Sequence, residues 1–289
     1  MRAPQPRFAV IRRAIVTSLC SLLLCAPALA ADGSVQGVLE AGGQKTALKF
    51  ARAGLHDNAE GLLDKGPELR ILLTDVEAGV DAIYGIAFLP VTVQAREGKI
   101  RGVLVTMKPD DPSVAYVTVL AVPTEKGASL TTFSLSSKPV PVIADFKMDG
   151  KTVSGSFKFG SDDLRSSGLK FSAPISPEPA VSADLKGKAA QESDQVKSMR
   201  ARAQAMSKGD SAGVARLSTA AENRQLEVAV AAIGPQAGQM MREAGRDMLG
   251  TFNKVERVVV RGTRAVVIFR NKESWQDMAL VDGLWKTGK

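Results

Sequence analysis

Val142-Ile143-Ala144-Asp145-Phe146-Lys147-Met148-Asp149-Gly150-Lys151-Thr152-Val153-Ser154-Gly155-Ser156-Phe157-Lys158-Phe159 is the stretch that decides the fold of the first half of this chain. Val153, Phe157 and Phe159 alternate with Thr152, Ser154, Ser156 and Lys158. Upstream, Val142, Ala144, Phe146 and Met148 share a face opposite Asp145 and Lys147. A period of two puts successive side chains on opposite faces of a strand, one buried and one wet. Asp149-Gly150 lies between the two runs, and Asp-Gly between alternating segments predicts a hairpin with a tight type I′ turn.

The same pattern extends outward on both sides. Leu169, Phe171 and Ala173 form a one-sided strand, and Leu69 to Thr74 reads as a further strand. Val35 to Leu39 and Thr46 to Phe50 pair around Gly42-Gly43. Ile100 to Met107 and Tyr116 to Val122 are apolar on both faces and read as central strands. The exception is Val80 to Val93, broken by Gly85 and Pro90, which reads as a short helix or loop plugging one end of the sheet. Many short strands with frequent turns predict an all-β sandwich or small barrel over residues 31–175.

Pro174, Pro177 and Pro179 then crowd together. Proline fixes φ and lacks a backbone donor, so residues 176–188 read as an extended, solvated linker. Beyond it the period becomes helical. Val196, Met199, Ala203 and Met206 fall on one face, Gly209 suits a helix C-terminus and Asp210 an N-cap. Val214 and Leu217 continue on a second helix, and Ala237, Met241, Ala244 and Met248 mark a third. Strands follow around Gly262-Thr263 and Asp282-Gly283. Helices followed by a meander give an α+β domain over residues 189–289.

The order of helices then strands, the Lys208-Gly209-Asp210 break and the closing Asp282-Gly283-Leu284-Trp285-Lys286 resemble the NTF2-like (cystatin-like) superfamily. That resemblance covers the last hundred or so residues. It implies a sheet curled around helices into a cone with an apolar pocket, used by some members for catalysis and by many for binding. Such enzymes often use a His or Asp pair in the pocket, and this domain has no histidine.

The chain opens with Arg2, Arg7, Arg12 and Arg13, an apolar run from Ala14 to Leu24, and Pro27 before Ala28-Leu29-Ala30. This is the pattern of a signal peptide over residues 1–30, cut between Ala30 and Ala31. The mature chain is then exported, periplasmic or extracellular, with no transmembrane anchor. Both cysteines, Cys20 and Cys25, lie in the leader, so no disulfide holds the mature fold. Half of the formal charge of +8 belongs to the leader arginines; what remains is acidic before the linker and basic after it.

Chemistry-bearing motifs are sparse. His56, the only histidine, sits in the polar stretch Gly54 to Glu60 beside no nucleophile signature and reads as a solvated loop residue. Asp110-Asp111 and Asp162-Asp163 lack calcium-loop spacing, one histidine makes a poor zinc site, and no phosphate loop is present. Nucleic-acid binding needs basic residues interleaved with exposed aromatics, and Trp275 and Trp285 read as core residues of strands. No cofactor, metal ligand or catalytic residue is assigned. Met241, Met248 and Met278 are the candidate lining of an apolar pocket. The expected function is non-catalytic binding of a small apolar ligand or an envelope protein partner. The rivals are a carboxylate-dependent enzyme with an apolar pocket and an envelope assembly factor.

Overall fold

The computed structural model describes residues 33–62, 66–85, 90–124, 127–136, 141–160, 163–270 and 274–288. The leader, its Ala30–Ala31 junction and Asp162 lie outside the described residues. The first half runs β1 (Gly33–Gln36), β2 (Val38–Ala41), β3 (Gln44–Ala47), β4 (Phe50–His56), β5 (Glu68–Thr74), α1 (Pro90–Arg96), β6 (Gly102–Lys108), β7 (Asp111–Thr124), β8 (Gly127–Ser136), β9 (Ala144–Met148), β10 (Thr152–Phe157), β11 (Leu164–Ser166) and β12 (Leu169–Pro177). The second runs β13 (Ala183–Lys186), α2 (Lys188–Gln191), α3 (Asp194–Lys208), α4 (Ser211–Arg216), α5 (Ala220–Ile233), α6 (Ala237–Leu249), β14 (Val255–Arg261), β15 (Arg264–Phe269), β16 (Trp275–Val281) and β17 (Leu284–Thr287).

Nine strands of the first half form one sheet in the order β8-β7-β6-β5-β4-β1-β12-β10-β9, with β11-β2-β3 as a smaller sheet. All neighbours are antiparallel except where β12 runs past the short β1 and pairs in parallel with β4, Ile175 facing Ala53. The large sheet curls. The Phe133 ring of β8, at one edge, lies 5.4 Å from that of Phe159, which follows β10 near the other. Ile71, Val103, Val117, Val153, Phe157 and Phe171 fill the concave side.

The strands read as apolar on both faces are covered on both over part of their length, with Tyr116 of β7 left 41% exposed. Leu72, Leu104 and Leu120 point to the convex side and meet Ile83, Val91 and Ala95. Residues 80–83 form a 3-10 turn and α1 follows, so the segment expected to plug one end of the sheet instead roofs its outer face. Proline at the first position of α1 suits a helix start, and Gly98 follows its end. The Asp149-Gly150 hairpin forms with a wider turn than a type I′ pair. Met148 faces Val153, and the Asp149 carboxylate accepts from the backbone N–H groups of Lys151 and Thr152 at 2.9 and 2.7 Å. Asp282-Gly283 is the true two-residue case, with φ of 53° and 75° between paired Val281 and Leu284.

The connector is not an unpaired linker. β12 continues through Pro177, whose missing N–H is tolerated at the strand end. Ser182 already donates its N–H to Val260, and β13 pairs with β14 from Ala183 opposite Val260 to Lys186 opposite Arg257. Val181, Ala183 and Leu185 alternate with Ser182, Asp184 and Lys186, a strand signal that the prolines overshadow.

In the second half five antiparallel strands run in the order β13-β14-β15-β16-β17. Val196, Met199 and Ala203 of α3 pack on Val258, Val260, Val267 and Met278 of the sheet, with Phe252 beside them. The Ser193 hydroxyl caps α3 by accepting from the Val196 N–H, Gly209 ends it at a φ of 73°, and Asp210 caps α4. Gly245 of α6 lies so close to α3 that a Cβ there would meet the Ser207 nitrogen at 2.4 Å. Trp285 packs against the core while Leu284 on the opposite face is exposed, as expected from their alternation. Trp275, by contrast, is 36% exposed. No helix among the described residues is long and apolar enough to cross a membrane.

Candidate functional site

The most developed polar cluster lies where the loop after β4 meets β14. His56 ends β4, paired with Glu68 of β5. The chain then turns through Asn58, whose φ is 54° and whose backbone oxygen accepts from the Gly61 N–H. Asp57 accepts from the Ala59 N–H at 2.9 Å, and the Asn58 side chain accepts from the Leu62 N–H at 3.2 Å. A short polar stretch therefore folds on its own side chains, as Asx turns do. Leu62 anchors it on Val259, Val266 and Ile268, the sheet face turned away from the helices.

Two arginines of β14 grip this loop. Arg257 donates to the carbonyls of Glu60 and Ala59, both at 3.0 Å, and to Asp184 at 2.7 and 3.1 Å. Arg261 donates to Glu60 at 2.8 Å, to Asp57 at 2.5 Å and to the Pro179 carbonyl at 2.9 Å. Burial works against the Arg261 charge, yet the Glu60 hydrogen bond and the nearby Glu178 hold its pKa above the ordinary value. Burial also opposes ionisation of Asp57, and the Ala59 and Arg261 hydrogen bonds outweigh it, so its pKa lies below the usual carboxylate range. Asp184 is likewise lowered, first by its hydrogen bond from Arg257.

His56 is 1% exposed, so the solvated loop histidine of the sequence reading is corrected. Its Nδ1 lies 2.9 Å from one Glu178 oxygen and 3.0 Å from the other. Its Nε2 faces Glu60 Oε2 at 4.0 Å, and neither of these two buried atoms has a hydrogen-bond partner. Tyr84 closes the neighbourhood by donating its hydroxyl to the Ser176 carbonyl. Arg70 positions it by donating to the Ile83 and Gly85 carbonyls at 2.9 and 2.7 Å. Gly54 makes room, since a Cβ there would lie 2.8 Å from the Tyr84 hydroxyl. Burial, then the Glu178 charge, pushes the Tyr84 pKa up to about 12.

These residues edge a cavity of about 320 Å³ between the loop and the β14–β15 hairpin. Pro179, Val259 and Val266 make its apolar wall, bordered by Ala265 and Met278 of the helix-side core; His56, Glu60, Glu178 and Arg261 make its charged end. Of the three methionines read as pocket lining, Met278 borders this cavity but packs in the helix-side core with Met199 and Phe252. Met241 and Met248 pack with Ala205, Met206 and Val214 among the helices, and Met248 also reaches the core that holds Met278. Asp111 serves its own turn by accepting from the Ser113 N–H at 3.1 Å. The missed residues are His56, Glu178 and the two arginines. Arg257 and Arg261 did carry a signal, because charges inside a valine-rich strand need a buried partner. Comparison with protein-family models, with curated proteins and with solved structures finds no match.

The seam has a pH signature. Asp184 has a folded pKa below its unfolded value, so its contribution is present above about pH 4 and is lost as pH falls through the folded value. Asp184→Asn should lower stability at pH 7 by at most about 1 kcal/mol, since the pair is partly exposed. The gap between variant and wild-type melting temperatures should close as the pH is taken from 7 towards 2. A gap that stays constant over that range would remove Arg257–Asp184 from the account.

Proposed function

We propose that this is an exported, non-catalytic binding protein that holds a small apolar ligand in the seam cavity, with its second half an NTF2-like cone. The observation that carries the reading is the cavity itself. Its volume of about 320 Å³ falls at the lower end of small-molecule sites, and an apolar wall ends in a few convergent polar groups. The leader pattern supports export to the periplasm or beyond. Helices laid on one face of an antiparallel meander support the superfamily reading. The helix-side interior is filled by Met199, Phe252 and Met278, so the ligand belongs at the outer face of the sheet.

Nile red, a neutral apolar dye, provides the test. The wild type should bind it saturably at one site. Val266→Phe, which places a ring into the cavity, should weaken that binding at least about tenfold while the circular dichroism spectrum is unchanged, because a filled pocket leaves no apolar surface to bury. Absence of saturable binding, or equal binding by the folded variant, would overturn the reading.

A further inference from the structure

We propose that His56, Glu60 and Asp57 form a binding site for a first-row divalent cation of the Zn2+ class at the charged end of the seam. One ligand atom from each residue lies within 4.8 Å of the others. The independent observation is the pair of orphan atoms. His56 Nε2 and Glu60 Oε2 belong to side chains 1% and 3% exposed, face each other at 4.0 Å, and have no hydrogen-bond partner. Buried polar atoms are nearly always satisfied, so two orphans pointing at one another mark a place for a third party.

The chemistry of the orphans selects that party. In the tautomer that donates Nδ1–H to Glu178, Nε2 presents a lone pair to the gap. Glu60 Oε2 is also an acceptor. Two electron-pair donors attract a Lewis acid or a hydrogen-bond donor, not an anion. Zinc bonds of about 2.0–2.2 Å at a tetrahedral angle hold two ligand atoms about 3.3–3.5 Å apart, so small side-chain rotations that draw the 4.0 Å pair together seat one ion between them. The Glu178–His56 bond is the carboxylate–imidazole support that metal-ligating histidines commonly have. Charge points the same way. Asp57, Glu60 and Glu178 gather around the single guanidinium of Arg261, and a dication balances the remaining two negative charges. Glu60 Oε1 stays with Arg261 while Oε2 is free for the ion. With no cysteine in the mature chain, the donor set is nitrogen and oxygen, which suits Zn2+ or Co2+.

The proposal is independent of the apolar-ligand reading, because ion uptake is measured with no organic molecule present. The full chain without an affinity tag is stripped with chelator and titrated with ZnCl2 by calorimetry, then with CoCl2 by visible absorption. One ion per chain, cobalt d–d bands and a melting temperature raised by the ion are expected. Glu60→Gln keeps an oxygen for Arg261 but loses the charged ligand, and His56→Ala loses the nitrogen. Each should weaken binding at least a hundredfold. Glu178→Gln, acting through His56, should weaken it about 10–100-fold. If His56→Ala fails to fold, Glu60→Gln and Asp57→Asn decide. Uptake below one ion per chain at millimolar metal means a water bridges the gap and overturns the proposal. So does equal affinity in the wild type and the folded variants, which would place the ion elsewhere.

Discussion

Arg261→Met is expected to be the most damaging single substitution in the seam, at about 3–5 kcal/mol. The methionine fills the volume but leaves the Glu60 carboxylate, 3% exposed, without its 2.8 Å partner. Asp57 and the Pro179 carbonyl lose theirs in the same stroke. An uncompensated buried charge is costly because it has given up hydration without gaining a partner, whereas removing both members of a buried pair is often close to neutral. Glu60→Gln on the Arg261→Met background should therefore recover part of the loss, a coupling that a double-mutant cycle reads directly. In a protein of this size the single variant should melt on the order of 10 °C lower. Differential scanning calorimetry checks both arms. An unchanged melting temperature, or a double variant worse than the sum of the singles, would remove the ion pair as the clasp of the seam.

Phe252→Ala should cost a similar amount for a different reason. The ring is 1% exposed and packs with Val196, Met199, Val258 and Met278. Truncation loses its transfer free energy and leaves a void, about 3–5 kcal/mol in such sites. The Arg200 guanidinium also lies 5.0 Å from the ring centroid. That contact is at an exposed side chain and contributes at most about 1 kcal/mol, so packing decides the outcome. Arg200→Ala is the control that separates them. If it destabilises as much as Phe252→Ala in urea unfolding, the packing account is wrong.

What the sequence made legible was local. Alternation along 152–159 marked β10, the two-faced apolar runs marked β6 and β7 as interior strands, and Gly209-Asp210 marked the end of α3 and the cap of α4. β8 and α5 are the longest of the elements that went unread. β8 is rich in Ser and Thr, and none of the described residues of α5 is buried, so neither shows a clean apolar period. The site was hidden for a deeper reason. His56 owes its burial to Glu178 and Glu60, and Glu60 to Arg261, partners that lie up to 201 positions apart. No window of sequence holds such a group together, and a histidine in a polar stretch looks wet until the distant strand is laid over it. The connector misled in the same way, since its prolines speak of local φ while its pairing to β14 is a tertiary fact.

The position of β1 bears on how this molecule comes into being. The first described strand of the chain lies between β4 and β12 in the sheet, with Ser34 opposite Ser172. A chain delivered with its N-terminus ahead thus holds β1 ready long before β12 arrives. β4 to β8 can zip sequentially, but the sheet stays split beside β4 until residues 169–177 emerge, and such distant pairing is slow because loop closure must come first. Until then the β4–β8 side of the large sheet and the β9–β10 hairpin have no strand in common, and the pairing of β12 is the step that joins them into one sheet.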